Sequence, residues 1–344
     1  FYAEAGGQVG DTGTITTPGG VADVLDTTFA LPGLRRHSAR LRSGAIAAGE
    51  TAVASIDVAR RDSIRRNHTG THILHYALRK VLGEHVKQAG SLVGPDRLRF
   101  DFSHYAAVTD DEIQRIEELA NGEVLANATA RVFETSKTEA EALGAIAFFG
   151  DKYGEQVRVV QIGGRPAALD GYSMELCGGT HTRATGQIGG FRIVAESAIA
   201  AGVRRIEAVA GVPAYDAVRS DRELLRGLAG RLNAPLHELD RKVDALIAHA
   251  RELEKAVKAA QQREASNAAS GLRSLAVEVN GVPVIAHNLG GVDGDFLQAV
   301  ADALRGSFKG VLVLGGLSGG SVALVASVSP EYTGRIQAGK LIQQ

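Results

Sequence analysis

The sequence predicts a multidomain α+β chain in four successive regions, and three patterns carry that expectation. The first 60 residues alternate short polar–apolar runs with glycine-rich turns. The middle sets two amphipathic helical stretches among strand-like runs. The remainder opens on a heptad seam and closes on strand and helix patterns in turn. At 344 residues and 44% apolar side chains, the chain is long enough for two or three domains, each with its own core. A net charge of −1 makes no global case for nucleic acid, so any such case must be local. A single cysteine excludes an internal disulfide framework and fits a reducing, cytoplasmic setting. No apolar run reaches the roughly 18 residues that a membrane-spanning helix needs. The chain starts at Phe1, inside what reads as a motif, so a fragment of a longer protein is expected.

Residues 1–60 read as a small β-barrel: Gly6-Gly7 and Pro18-Gly19-Gly20 separate runs such as Thr14–Thr16 and Val21–Leu25, and closure would leave no exposed edge. From Arg35 to Arg66 there are eight arginines against Glu50, Asp57 and Asp62. That run is either a solvated surface or a salt-sensitive phosphate-contacting patch. Residues 61–211 read as an α+β domain. Its first helix, over 61–83, carries Ile64, Leu74, Ala77, Leu78 and Val81 on one stripe and stops at Gly83. Runs at 86–93 and 99–104 look like strands at a pocket rim. A second helix follows over 110–127, then strands near 131–134, 157–162, 191–196 and 204–209.

Residues 212–272 read as helical. A short helix over 214–231 breaks at Asn233-Ala234-Pro235. Then Leu232, Leu236, Leu239, Val243, Leu246, Ala250, Leu253, Val257 and Ala260 recur in steps of four and three, a seam fitting a helical hairpin or a dimeric coiled coil. The helix is expected to run about 35 residues, roughly 50 Å. Residues 273–344 read as α/β: a strand over Val277–Ala286, a helix over Asp295–Arg305, strands at Gly310–Leu314 and Val322–Val328, and a helix from near Glu331. The glycine-rich run Gly315–Gly320 lacks the Lys-Ser/Thr ending of a phosphate loop and is expected to join two strands.

Two short pieces carry the chemistry. His68 and His72 lie four apart on the first helix, so both imidazoles share one face. Cys177 and His181 are also four apart, but Gly178 and Gly179 between them suggest a loop wrapped around an ion. Either pair alone would be ordinary. Together they supply one thiolate and three imidazoles, a tetrahedral zinc set if the fold joins them. His75, a turn further on, reads as a neighbour rather than a ligand.

The words around these ligands resemble the editing domain of alanyl-tRNA synthetases. They are Arg66-Asn67-His68-Thr69-Gly70-Thr71-His72-Ile73-Leu74-His75, Glu175-Leu176-Cys177-Gly178-Gly179-Thr180-His181, the opening from Phe1 to Gly13, and Ala201–Val209. Ala147–Gly154 resembles a further signature of that family. The likeness covers residues 1–211 and continues more loosely to the end. It implies a C-terminal portion with a zinc-dependent editing domain at 61–211 and a truncated tRNA-binding domain at 273–344. The ATP-dependent ligase domain would lie elsewhere in the parent.

A pocket sized for alanine excludes glycine and serine poorly, so a second, hydrolytic site must accept serine and refuse alanine. A buried polar group awaiting the serine hydroxyl does this, because alanine leaves it unpaired. Thr71, between the two helical histidines, is the candidate; its bland alternative is a hydroxyl bonded to its own helix. The resemblance places Gln88, and less directly Gln8, on the pocket lining. It also puts Arg65, Arg66, Arg204 and Arg205 towards tRNA. The expected substrates are Ser-tRNA(Ala) and Gly-tRNA(Ala), and the expected cofactor is Zn(2+) as organiser of the pocket. Two other readings stand beside this one: a freestanding trans-editing deacylase, and a non-catalytic zinc-stabilised tRNA-binding or dimerisation module. The related domain of threonyl-tRNA synthetases fits the Gly6-Gly7-Gln8 opening and the long tail poorly.

Overall fold

The computed structural model describes residues 1–147, 154–165 and 168–343, which form two compact units, Phe1–Leu225 and Arg226–Gln344. Most of the family-like stretch Ala147–Gly154 lies outside the described residues.

The first unit opens with strands β1 (Gly13–Thr16), β2 (Gly20–Leu31), β3 (Leu34–Gly44) and β4 (Val53–Ile56), all antiparallel, in the order β3-β2-β1-β4. The expected barrel is an open sheet. Its inner strand β1 has four residues, whereas β2 and β3 run on together as a long two-stranded arm. The edges β3 and β4 therefore stay apart. β3 is exposed along nearly its whole length and carries Arg35, Arg36, Arg40 and Arg42, charges that suit a solvated edge.

Helix α1 (Val58–Leu82) begins where the Asp57 carboxylate takes the Arg60 N–H and ends at Gly83, whose φ of 118° only glycine adopts readily. Arg60 donates to the Gly10 carbonyl and Arg61 pairs with Asp11, so two of the eight arginines in that run tie the N-terminal segment to this helix. Next come β5 (Gln88–Val93), β6 (Leu98–Ser103), α2 (Asp110–Leu125, with a Thr109/Glu112 capping box), β7 (Ala130–Ser136) and α3 (Lys137–Ala142). Then follow β8 (Gln156–Ile162), β9 (Ser173–Leu176), β10 (Phe191–Ala200), β11 (Val203–Ala210) and α4 (Val212–Leu232), which runs on past the first unit. The strands make two more antiparallel sheets, β10-β11-β6-β5 and β7-β8-β9. Ile73, Leu74, Ala77 and Leu78 of α1 pack with Phe100, Phe102, Ile206 and Ile116 into one fully buried core. That burial drives the helix against the sheet and brings its histidines to the sheet's edge.

In the second unit, α5 (Leu239–Leu272) follows a turn set by Asn233 (φ 47°) and Pro235, so Leu232 and Leu236 fall outside the long helix. Ala265, Ala269 and Leu272 bury against the core of this unit, but Val243, Leu246, Leu253 and Val257 are exposed. β12 (Val277–Val279) and β13 (Val282–Asn288) form a hairpin where the sequence pattern suggests one strand. Asn280 and Gly281 both have positive φ, the two-residue turn that Asn-Gly favours. Then α6 (Gly294–Arg305), β14 (Val311–Ser318), β15 (Ser321–Val328) and α7 (Ala338–Ile342) complete the sheet β12-β13-β14-β15, with β13 and β14 parallel across α6. Gly319 and Gly320 make the tight turn between β14 and β15, as expected of that run.

Candidate metal centre

α1 sets His68 and His72 one turn apart, their rings stacked with centroids 5.5 Å apart. Between them Gly70 passes close to β10: a Cβ there would sit 3.3 Å from the Phe191 ring. The other two candidate ligands stand in the loop after β9. Arg158 of β8 donates to the carbonyls of Cys177 (2.8 Å) and Gly179 (2.7 Å), which fixes the loop's curve. A Cβ on Gly179 would fall 2.0 Å from a carbon of the His68 ring, whereas Gly178 faces open space.

The fold joins the two pairs. Cys177 Sγ lies 3.4 Å from His68 Nε2 and 3.3 Å from His181 Nε2, and the four donor atoms all fall within 4.8 Å of one another. Tetrahedral donors around zinc stand about 3.5 Å apart at ordinary Zn–N and Zn–S bond lengths. The fit is supported by His72, whose buried Nε2 has no hydrogen-bond partner. A buried, unpaired nitrogen is costly unless something binds it.

Each imidazole is held from behind. Gln8 Oε1 accepts the Thr180 N–H (2.8 Å), which fixes the orientation of its amide, so His68 Nδ1 at 2.8 Å must be the donor to it. Glu175 takes His72 Nδ1 on one oxygen and His75 Nδ1 on the other (2.8 Å). Thr69 Oγ1 stands 3.4 Å from His181 Nδ1 and accepts the Thr182 N–H at 3.1 Å. His68 and His72 thereby keep Nε2 free for an ion, the usual division of labour in a metal-bound histidine. Gln8 therefore acts behind His68 rather than on the pocket wall.

Burial pushes the Cys177 thiol up, but His68 and His181 overturn this and hold it well below its usual value, as thiolate. Burial, then the charge of His68, lowers His181 to about 3, leaving its imidazole neutral. Glu175 is buried, which raises it, yet His72 and His75 bring it down to about 2. The same carboxylate overcomes burial at His72 and raises it to about 10. A thiolate and neutral imidazoles are the forms a metal takes, so ion binding at His72 displaces a proton.

Beside the ligands lies a cavity of about 160 Å³, lined by Tyr2, Thr71, Gln88 and Ser91 together with His68, His72 and Cys177. Thr71 donates its hydroxyl proton to the Asn67 carbonyl (2.9 Å), the helix-bonded alternative, and also lines the cavity. Gln88 Nε2 donates to Ser91 Oγ at 3.0 Å, leaving its carbonyl oxygen as acceptor. Arg65 and Arg66 border a second cavity on the His181 side. Arg204 and Arg205 stand apart from both, each closed in a two-bonded ion pair, with Glu196 (2.6 and 2.5 Å) and Asp101 (2.7 and 3.0 Å). Glu175, Thr69, Tyr2 and Arg158 join the site without having stood out in the sequence. Only Glu175 left a signal, a charge between Met174 and Leu176 in the short strand β9.

Residues 157–207 match the family described as the threonyl and alanyl tRNA synthetase second additional domain. Over 99% of its length the chain is similar to alanine–tRNA ligases: 44% identical to that of Acidithiobacillus ferridurans over 343 residues. It is likewise 44% identical to that of Bordetella parapertussis over 345 residues, and 45% to that of Xanthomonas axonopodis pv. citri over 343. It spans 38 to 39% of the length of these relatives.

Proposed function

Since the chain belongs to the alanine–tRNA ligase family, we propose that its metal-centred pocket is an editing site that hydrolyses Ser-tRNA(Ala) and Gly-tRNA(Ala). The observation that carries this reading is the small cavity in which His68, His72 and Cys177 share a wall with Thr71 and Gln88. Zn(2+) bound by His68, His72, Cys177 and His181 would supply a fixed positive centre that organises the pocket, a closed set of four protein ligands favouring this over water activation.

The specificity follows from Thr71. Its proton is committed to Asn67, so it accepts a hydrogen bond and offers none. A seryl hydroxyl supplies the donor, whereas an alanyl methyl group leaves the acceptor dry, a penalty of about 1–3 kcal/mol. Glycine, lacking the methyl group, leaves room for a water molecule to supply the same donor. Gln88, held by Ser91, presents its carbonyl to the attacking water or to the amino group of the ester. Aminoacyl esters are already activated, so orientation and one or two acceptors suffice. The reading carries with it tRNA(Ala) as partner, a cytoplasmic setting, and self-association through the exposed seam of α5. Ligation of alanine with ATP is proposed only for a longer protein that includes this chain.

A second reading draws on the same closed ligand set: zinc as a purely structural clamp in a tRNA-binding module. Single-turnover deacylation of Ser-tRNA(Ala) and Ala-tRNA(Ala), with Cys177→Ala alongside and zinc measured in both, separates the two. Fast cleavage of the seryl ester alone, lost together with zinc in the variant, is the expected result. No cleavage by a zinc-loaded, tRNA-binding chain would replace editing with the structural clamp.

A further inference from the structure

Two cavities meet the metal ligands, and their chemistry differs. The small one reaches His68, His72 and Cys177; the other, about 470 Å³, reaches His181 and is bordered by Arg65, Arg66, Thr182, Arg183 and Gln187. Three guanidinium groups there face one carboxylate, Asp62, which holds Arg65 Nη1 at 2.9 Å. Arg66 is oriented by a bond from Nε to the Gln187 carbonyl (3.2 Å). The Arg183 N–H rests on Gln187 Oε1 at 2.9 Å. The loop that carries Arg183 is pinned on both sides. Thr182 bonds Thr69 of α1 through its N–H (3.1 Å) and hydroxyl (3.2 Å), and Thr185 donates to the Glu123 carbonyl of α2 at 2.7 Å. Arg65 and Arg66 are thus oriented by bonds of their own, and the loop that presents Arg183 is pinned.

The chemistry of the substrate says what such a cavity can hold. An amino acid esterified to a ribose hydroxyl has lost its carboxylate. The anionic groups that remain near the ester are the phosphodiesters of the nucleic acid, and guanidinium groups match phosphate oxygens in charge and spacing. Three other arginines of the same unit are already engaged: Arg61 with Asp11, Arg204 with Glu196, Arg205 with Asp101. We infer that the His181-side cavity is a phosphodiester subsite, with Arg66 and Arg183 as its principal contacts. It holds the 3′ strand on one side of the metal ligands while the aminoacyl group occupies the small cavity on the other. The nucleic-acid identity of the ligand rests on the editing reading; binding of an anion there does not.

The test uses the full zinc-loaded chain titrated with three probes: the trinucleotide CCA, adenosine, and inorganic phosphate. Arg66→Gln and Arg183→Gln should each weaken trinucleotide binding roughly tenfold, the scale of a lost charge-assisted hydrogen bond. Each should also lower the slope of log affinity against log salt by about 0.7. Adenosine binding and zinc content should stay at wild-type values, and Arg183→Lys should recover part of the loss. Unchanged trinucleotide affinity and salt slope in both glutamine variants would overturn the subsite. Inorganic phosphate binding as tightly as the trinucleotide would overturn its nucleic-acid assignment, leaving a free-anion site. If trinucleotide binding depends on Arg183 but no seryl ester is cleaved, the subsite stands and the editing reading fails. Cleavage with arginine-independent binding would remove the subsite and keep the editing reading.

Discussion

Glu175 holds two imidazoles at once, and its position two residues before Cys177 links the loop ligands to the helical ones. Replacing it with glutamine keeps the shape and removes the charge that orients His72. Zinc affinity, read by competition with a chelator, should fall about tenfold to a hundredfold while the fold persists. Acid stability gives an independent readout. The Glu175 carboxyl is depressed to about 2 in the folded chain, against roughly 4 in an unfolded one. Its stabilising contribution is therefore complete above the unfolded value and lost as pH falls towards the folded one. The zinc-free chain should lose denaturant resistance between about pH 4 and about pH 2, and Glu175→Gln should flatten that fall; an identical profile in the variant would exclude Glu175 as the cause. Thr71→Val tests the acceptor argument, with the preference for seryl over alanyl ester expected to drop by about tenfold or more. At this scale the candidate ligands that the fold gathers were legible, because cysteine and histidine at fixed spacing announce themselves. Their supports were not, because Gln8 and Thr69 acquire their roles only from neighbours far away in sequence.

The loop after β9 carries the clearest contrast between adjacent positions. Gly178→Ala should leave zinc binding unchanged, since nothing lies within 4 Å of the added carbon. Gly179→Ala must displace His68 or the loop itself, because the new carbon would overlap the imidazole. Metal stoichiometry of the two purified variants decides the matter; equal zinc content would show that the loop has slack. Helical elements were the most legible in advance, since α1, α2 and α6 each bury an apolar stripe and carry a capping residue. Strand β9, α3 and the β12–β13 hairpin were not. β9 is four residues buried on both faces and so shows no alternation, and the hairpin turn Asn280-Gly281 sits inside what looks like one continuous strand.

Across the whole chain, the α+β character was readable from changes in periodicity, but closure was not. Whether four strands become a barrel depends on edges meeting, and the long β2–β3 arm removes that option here. The exposed seam of α5 has a consequence at the same scale. Sedimentation should show concentration-dependent association, abolished by Leu246→Lys with Leu253→Lys, while helicity persists because lysine is nearly as good a helix former as leucine. A wild-type chain that stays monomeric at high concentration would assign the seam to another partner. The distance along the chain between α1 and the loop after β9 also bears on how the protein is made. As the chain leaves the ribosome, His68 and His72 emerge well before Cys177 and His181, so half of the metal set waits unpaired. On the proposed zinc reading, metal capture is thereby a late event in synthesis, coming only after the strands that deliver the second half exist. On that reading, a cell short of zinc would accumulate chains that have been made but not yet closed around their centre.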